Sequence, residues 1–395
     1  MHDSNIMRSI VRSIWYILAA TILVQCERHE IKSLVVFEDD KFLQALIERG
    51  VDTDGDSHIS LAEAEALTYM DVSFSGISDM SGIEAFVNLD TLFCSWNPLT
   101  HLDVSENTAL IALAVDGNQL TTLDVSRNTY LKLLSCYDSQ LTALDLSNNT
   151  LLKVLVCSRN QITSLDISKN TALTYLICQT NLLTTLDVSN KPGLTMLDCY
   201  DNQISSLDVS NNTALVELRS GTNQLTTLDV SNLSELLILD CSDNQLATLD
   251  LSNNPALTEL YCIYNQLTSL DLSNNPVLKS LYIWNNQLTS LDVSSNTMLD
   301  RLICSDNQLT TIDVSNLADL RILACGSNQL TSLDLSNNMS LGLALGNEYL
   351  YCYLEIENMP TLEEVCVWRL PFPPSGFLLC EDGSPNVTFA TGCSK

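Results

Sequence analysis

The stretch Leu236-Leu-Ile-Leu-Asp-Cys-Ser-Asp-Asn-Gln-Leu-Ala-Thr-Leu-Asp-Leu-Ser-Asn-Asn-Pro-Ala256 is one copy of the 21-residue unit that decides the fold. Starting at Leu89, the unit recurs thirteen times without a gap and reaches Thr361. Numbered from 1 within each unit, position 1 is always Leu, and position 4 is Leu in all units but the last, which has Ala344. Positions 11, 14 and 16 are nearly always Leu, Ile or Val. This spacing predicts a coil whose inward side chains stack on those of the next coil.

The string L-x-x-L-x-C-x-x-N-x-L within the unit resembles the leucine-rich repeat. The second half of the unit, from Leu249 to Asn254, echoes the first half, from Leu239 to Asn244, which is typical of a 21-residue bacterial subclass. The resemblance implies an α/β, mostly β, right-handed solenoid of thirteen coils. It also implies one parallel sheet at positions 4 to 6 and a second at positions 14 to 16. At about 4.8 Å per coil, thirteen coils stack to roughly 60 Å, so we expect an elongated molecule.

The composition limits the class of partner. The chain of 395 residues has 48 acidic and 18 basic residues and a net charge of −30. Phosphate backbones repel such a polyanion, which argues against nucleic-acid binding. Because 46% of the residues are hydrophobic and only 17% are charged, the chain has enough apolar material to bury a sizeable core.

Positions that do not vary between the units are expected to be structural. Position 9 is Asn in eleven units, from Asn97 to Asn328, and an inward Asn bonds the backbone of neighbouring coils. Position 6 accepts Cys, Val115 or Ile283, so it is a small apolar core site. We therefore expect buried free thiols rather than zinc ligands at the nine cysteines in that position: Cys94, Cys136, Cys157, Cys178, Cys199, Cys241, Cys262, Cys304 and Cys325.

Four further cysteines lie near the carboxyl end, at Cys352, Cys366, Cys380 and Cys393. In a secreted protein they are expected to form two disulfides, with three possible pairings.

The amino-terminal segment predicts export. Arg8 and Arg12 precede an apolar run from residue 14 to 24, which is too short to span a bilayer and fits the core of a signal peptide. The run ends in Leu23-Val-Gln-Cys26, which resembles a bacterial lipoprotein box and makes Cys26 the expected lipidation site. Gln25 departs from the small residue that such a box carries before its cysteine. The predicted protein is thus lipid-anchored at the outer face of a membrane or freely secreted, with an uncleaved anchor as the third alternative.

A calcium loop is predicted after a short helix whose apolar face includes Phe42 and Leu46. The segment Asp52-Thr-Asp-Gly-Asp-Ser-His-Ile-Ser-Leu-Ala-Glu63 has oxygen ligands where the EF-hand loop places them, and these suit one Ca²⁺. Ser57 stands at the sixth place, where that loop normally has Gly. The alternative is an acidic turn without metal. The candidate ligands are Asp52, Asp54, Asp56, His58, Ser60 and Glu63.

The ends of the repeat array differ from its middle. Residues 70–88 are similar to the cap-to-repeat junction of internalin-like proteins, and Pro371, Pro373 and Pro374 interrupt the carboxyl end. The predicted order is signal peptide (1–25), linker (26–36), EF-hand-like cap (37–69), irregular first coil (70–88), repeats (89–361) and irregular carboxyl-terminal cap (362–395).

Position 15 is Asp in twelve units, from Asp103 to Asp334, with Glu355 expected at that place in the thirteenth. Flanked by inward residues, these carboxylates are predicted to form an outward column about 5 Å apart, where neighbours repel by about 0.9 kcal/mol even in water. Hydrogen bonds from Ser at position 17, Thr or Ser at positions 11 and 12, or the backbone would compensate. The functional alternatives to this structural role are a row of bound cations or a face that matches a crystalline lattice.

Variable outward positions are better candidates for recognition. Positions 5 and 7 flank the inward residue at position 6 and carry clustered aromatic and aliphatic side chains in two consecutive units. Tyr and Trp are frequent in interface hot spots. The alternative is that these side chains are scattered surface residues without a common role, or that the carboxyl-terminal segment covers them. The candidate partner-binding residues are Tyr261, Ile263, Tyr264, Tyr282, Trp284 and Ile303.

No enzymatic motif is present: the sequence has four histidines and lacks G-x-S-x-G, a phosphate loop and H-E-x-x-H. The sequence therefore predicts a non-catalytic, monomeric, cell-surface or secreted bacterial binding protein that recognises a protein or glycan. The alternative is a structural, lattice-binding or cation-binding protein that uses the Asp column.

Overall fold

The computed structural model describes residues 33–343 and 352–393, which form a mostly β parallel solenoid, as predicted. Among the described residues, eighteen strands form a main sheet of fifteen strands and a second sheet of three. The strands are β1 Tyr69–Asp71, β2 Thr91–Phe93, β3 Ala112–Ala114, β4 Leu133–Ser135, β5 Val154–Val156, β6 Tyr175–Ile177, β7 Met196–Asp198, β8 Glu217–Arg219, β9 Ile238–Asp240, β10 Glu259–Tyr261, β11 Ser280–Tyr282, β12 Arg301–Ile303, β13 Ile322–Ala324, β14 Ser332–Asp334, β15 Leu354–Glu355, β16 Glu364–Cys366, β17 Leu379–Cys380 and β18 Thr388–Ala390.

The register of the main sheet follows the 21-residue repeat. Leu92 pairs with Leu113, and the same leucine position pairs between consecutive strands as far as Leu302 and Leu323. These leucines at position 4 are fully buried, while most of their neighbours at positions 3 and 5 remain partly exposed. The buried side chains of all coils form one continuous core, so a single truncation of such a Leu to Ala costs about 2–5 kcal/mol.

The register changes at the end of the repeats. Leu323 in β13 pairs with Leu354 in β15, which lies 31 residues further along the chain instead of 21. The prediction of a thirteenth unit of unchanged length is therefore wrong, and so is the placement of Glu355 in the Asp column. Glu355 pairs with Ala324 on the main sheet. Ala344, assigned to position 4 of that unit, lies outside the described residues.

The predicted second sheet is present only at the carboxyl end, where β14, β16 and β18 pair in parallel. In the described coils before β14, positions 13 to 15 have no strand. An Asp-Ser turn at positions 15 to 17 occurs in all twelve units with Asp at position 15, including the one that contains β14, so the turn does not decide where the ladder forms.

Among the described residues, two helices cap the amino end of the solenoid: α1 Asp40–Glu48 and α2 Leu61–Ala66, followed by a 3₁₀ turn at Ile83–Ala85. Asp39 caps α1 by accepting a hydrogen bond from the Lys41 N–H. Helix α1 buries Phe42, Ala45 and Leu46 against the core. The segment before α1 pairs antiparallel with the chain just before α2, through a bridge between Leu34 and Ser60.

The carboxyl-terminal cap contains the two predicted disulfides. The structure selects one of the three pairings, Cys352 with Cys380 and Cys366 with Cys393, each with a Cα–Cα distance of 5.9 Å. In the part of the chain that the structure describes, no helix is long and apolar enough to cross a bilayer. The predicted signal peptide and Cys26 lie outside the described residues.

Candidate binding surface

The outward side chains of the main sheet, at positions 3, 5, 7 and 8, form what we call the sheet face. The register brings Tyr261, Tyr282 and Ile303 side by side on three consecutive strands. The two tyrosine rings stack with centroids 4.7 Å apart and 14° between their planes. The Tyr261 hydroxyl donates a hydrogen bond of 2.8 Å to Glu259 Oε2, which fixes one end of the stack. Three of the predicted partner-binding residues therefore form one row.

The other predicted residues, Ile263, Tyr264 and Trp284, lie beside this row. The Tyr264 and Trp284 rings meet edge to face with centroids 4.4 Å apart. Tyr264 is 43% exposed, and the other predicted residues are each partly exposed, so none belongs to the buried core. We call the six residues, Tyr261, Ile263, Tyr264, Tyr282, Trp284 and Ile303, the Tyr–Trp patch. The structure brings all of them together.

Tyr264 occupies a position where the backbone disfavours a bulky residue. In the described coils from β1 to β15, the residue at position 8 has φ between 49° and 63°. Gly, Asn and Asp tolerate this left-handed conformation, and a bulky side chain is unusual there. Half of these coils follow that preference, for example with Asp243 and Asn285. An exposed ring at such a position gains no core packing in return, which points to a role at the surface.

A charged strip adjoins the Tyr–Trp patch and was not predicted from the sequence. The register aligns Asp198, Arg219 and Asp240 on three neighbouring strands, and Arg219 forms an ion pair with Glu217. Burial raises the pKa of the Asp198 carboxyl, and the nearby Arg219 acts against that shift. In the sequence, the change of charge at position 5 from one unit to the next was the signal that could have identified this strip.

A second aromatic cluster lies at the other end of the sheet face, and sequence reasoning also missed it. Tyr69, Phe74, Phe93, Trp96 and Tyr137 occupy positions 3, 5, 7 and 8 in the coils of β1, β2 and β4. Phe74 lies in the irregular first coil, where the repeat numbering gives no guide. The same rule that selected Tyr264, an aromatic residue at an outward position, would have found Trp96 in the first regular unit.

The predicted calcium loop has a geometry compatible with a metal site. Carboxylate oxygens of Asp52, Asp54 and Glu63 lie within 4.8 Å of one another, the one such acidic, His or Cys group among the residues described. Asp52 folds the loop by accepting hydrogen bonds from the N–H groups of Gly55 and Ser57, at 2.8 and 2.9 Å. Ser57 itself adopts the left-handed conformation (φ 64°) that the sixth place requires.

The remaining predicted ligands surround this group. Asp56 accepts a hydrogen bond from the His58 N–H at 3.0 Å, and Ser60 caps α2 through its hydroxyl. Partial burial raises the pKa of Glu63, but hydrogen bonds from Ser60 and Thr53 outweigh it and lower that pKa to about 2. Glu63 is therefore ionised at neutral pH, as a metal ligand must be. The donor set fits Ca²⁺, provided that Glu63 exchanges some of these bonds for the ion.

Hydrogen bonds within the chain compensate for the repulsion between the carboxylates of the Asp column. Asp250 Oδ1 accepts a hydrogen bond of 2.9 Å from the Ser252 N–H, and the same contact recurs at all twelve aspartates. The backbone N–H and the hydroxyl of Ser252 lower the pKa of Asp250. Ser at position 17 was one of the predicted sources of compensation, and the structure confirms it.

The inner columns also match their predicted roles. All nine cysteines at position 6 are buried and free of disulfides, and burial raises the pKa of Cys157 to about 12. At position 9, Asn181 Nδ2 donates to the carbonyl of Cys157 in the preceding coil and to that of Cys178 in its own, both at 3.0 Å. A second Asn column at position 19, such as Asn275, also bonds the preceding coil and was not predicted.

Comparison with known proteins agrees with this architecture. The functional domain of InlJ from Listeria monocytogenes, described as including a cysteine ladder, is 35% identical, with a TM-score of 0.74 over 85% of this chain and 77% of that one. The chain belongs to the internalin-like leucine-rich repeat proteins. In this internalin-like chain, position 6 carries nine buried free cysteines.

Other similarities are weaker. InlF of Listeria monocytogenes is 20% identical, with a TM-score of 0.63 over 93% of this chain and 100% of that one. At this identity, the similarity shows the fold alone. The LVIVD repeat family matches residues 99–139 and 303–324. Internalin J of Listeria monocytogenes is 37% identical over 72 residues, which are 18% of this chain. That match spans only 8% of the length of Internalin J.

Proposed function

We propose that this internalin-like chain is a non-catalytic bacterial binding protein, secreted or held at the cell surface, that recognises a protein partner through the Tyr–Trp patch. The observation that carries the proposal is the pair of aromatic contacts on adjacent strands, Tyr261 with Tyr282 and Tyr264 with Trp284. Rigid, partly exposed aromatic side chains provide contact area at a low entropy cost, and such residues dominate interface energetics.

The proposal assigns recognition to the sheet face rather than to the Asp column. The aspartates of that column are occupied by hydrogen bonds from Ser at position 17, as Asp250 and Ser252 illustrate. They repeat almost unchanged, whereas the sheet face varies from coil to coil. A varying surface supplies the specificity that a particular partner needs.

Two further assignments accompany the proposal. The cap loop binds one Ca²⁺ through Asp52, Asp54 and Glu63, with Asp56, His58 and Ser60 completing the ligands, and the ion stiffens the cap. Cys26 receives a lipid that holds the protein at the outer face of a membrane. The disulfides Cys352–Cys380 and Cys366–Cys393 support export, because such bonds persist in oxidising compartments.

The proposed function is tested by presenting the purified protein to an array of extracellular protein domains and glycans. The expected result is saturable binding to a protein domain that survives about 0.5 M salt, since aromatic burial dominates the contact. Binding to glycans alone would replace the protein partner with a carbohydrate. The absence of any saturable ligand would remove the proposal.

A further inference from the structure

The second aromatic cluster contains an exposed platform on the first two coils. The Phe74 and Trp96 rings stack nearly parallel, with 12° between their planes and centroids 6.0 Å apart. Phe74 is 76% exposed, Trp96 43% and the neighbouring Tyr69 54%. We call Phe74 and Trp96 the Trp96 platform. It lies nine coils from the Tyr–Trp patch, about 40 Å at the spacing of strands.

Two features show that the platform is built rather than incidental. Phe74 and Trp96 both stand at position 8, with φ of 56° and 58°, where bulky side chains are disfavoured. The residue below the indole is Gly117, and a Cβ at that position would overlap the Trp96 ring. Gly117 therefore allows the indole to lie flat over the next coil. Since neither ring is buried, core packing does not explain them.

Charges of both signs lie around the platform: Lys41 and Arg49 line the same surface pocket as Phe74, together with Asp40 and Glu48. Asp71 lies on the strand beside the platform, and the Asp116 carboxylate accepts hydrogen bonds from Ser95 and from the Tyr137 N–H. Within the same cluster, the Arg159 guanidinium already lies over the Tyr137 ring, 5.7 Å from its centroid. The net charge of −30 attracts basic partners over longer distances.

We propose that the Trp96 platform binds an arginine-rich segment of a partner protein. A guanidinium stacks on the Phe74 and Trp96 rings while its N–H groups pair with the Asp71 and Asp116 carboxylates. Arginine fits better than lysine because its planar, weakly hydrated head stacks on aromatic faces and donates in a fixed fork. This site is separate from the Tyr–Trp patch, so the two proposals succeed or fail independently.

Tryptophan fluorescence tests the proposal with defined probes. The full chain has four tryptophans, and changing Trp15, Trp284 and Trp368 to Phe leaves Trp96 as the single reporter. An acetylated octa-arginine peptide is expected to change the Trp96 emission saturably, and octa-lysine of equal charge to bind several-fold more weakly. Equal binding of both peptides would overturn the proposal, since charge alone would then explain the attraction.

Variants separate the platform from the rest of the acidic surface. Phe74→Asn is expected to weaken octa-arginine binding roughly fivefold, the value of one exposed cation–π contact. Asn fits this backbone, because Asn285 already occupies position 8 in another coil with φ 57°. Thr222→Asn, at the same position 8 with φ 49° but six coils away from Trp96, is the matched control and should leave the affinity unchanged. An unchanged affinity in Phe74→Asn would contradict the proposed site.

A second pair of variants tests whether Gly117 is needed to position the Trp96 indole. Gly117→Ala is expected to displace the Trp96 ring and to abolish the fluorescence response to octa-arginine. Gly193→Ala is the matched control, because a Cβ at Gly193 meets nothing within 4 Å. A full response in Gly117→Ala, or saturation of the reporter by neutral maltohexaose in place of octa-arginine, would overturn the assignment.

Discussion

The ring centroids of Tyr261 and Tyr282 lie 4.7 Å apart on paired strands. The preceding residues, Leu260 and Leu281, pair in the same two strands and set the register of the rings. Because both leucines are fully buried, the aromatic pair is held in place before any ligand arrives. A preformed surface of this kind avoids part of the entropy cost of binding. The repetitive core thus determines the geometry of a variable surface.

The Asn column at position 9 is expected to stabilise the solenoid strongly. Asn160 Nδ2 donates to the carbonyls of Cys136 and Cys157 at 2.9 and 3.0 Å, and its Oδ1 accepts from the Leu141 N–H at 2.9 Å. Asn160→Ala leaves these buried backbone groups unpaired and should lower the free energy of unfolding by about 2–4 kcal/mol, measured by urea denaturation. Gln161→Ala, at the exposed neighbour, should change it by less than about 0.5 kcal/mol. Equal effects would refute the role of the column.

Lys191 interrupts the second Asn column, and its replacement should stabilise the protein. Lys191 is buried, and its ammonium donates to Asn190 Oδ1 at 2.8 Å. Burial lowers the pKa of Lys191, which shows that the charged form is disfavoured there. Lys191→Asn should restore the column and raise the free energy of unfolding by about 1 kcal/mol in urea denaturation. Lys169→Asn removes the same charge from an exposed site; a comparable gain there would show that net charge is the cause.

The buried cysteines should make the protein sensitive to alkali. Burial raises the pKa of Cys157 from its ordinary value of 9.0 to about 12. Below pH 9 the thiol is protonated in both the folded and the unfolded chain, so the stability is complete. Between about pH 9 and 12 only the unfolded chain releases the proton, and stability falls as pH rises. Cys157→Val, a residue type found at this position as Val115, should reduce that slope by about 1.4 kcal/mol per pH unit. An unchanged slope of the urea midpoint against pH would refute this.

The cap loop should bind one calcium ion. Calorimetric titration of the mature chain is expected to give a single site that disappears in the double variant Asp52→Ala, Glu63→Ala. Asp250→Asn, which keeps the oxygen acceptor for the Ser252 N–H, should retain that site. Several sites that persist in the double variant would instead make the Asp column a cation-binding face.

The sequence predicted the core well because each inward position is sampled in many units. Leucine at position 4 and cysteine at position 6 are buried as expected, since the repeat itself separates architectural from variable positions. The length of the last coil could not be predicted, because Leu341 continues the pattern before the chain departs from it. The second sheet was predicted over too many coils, because apolar spacing shows which side chains point inward and not whether their backbone pairs with the next coil.

The binding surface was only partly predictable. The Tyr–Trp patch could be located because two regular units carry it. Phe74 escaped notice because it precedes Leu89, and Gly117 because its role depends on the ring above it. The position 19 column escaped because Lys191, Leu233 and Leu317 interrupt it. These features depend on contacts between coils, which no single unit shows.

The most direct test of the account is the affinity of the protein and two matched variants for each protein domain captured on the array. Tyr282→Ser with Trp284→Ser keeps residue types found at the same positions in other coils, as Ser135 and Ser242. It should weaken binding at least about thirtyfold, as expected for the loss of a hot spot. Asp250→Asn with Asp271→Asn should leave the affinity unchanged. Undiminished binding by the Tyr–Trp variant, with loss in the Asp variant, would contradict the account and place recognition on the Asp column.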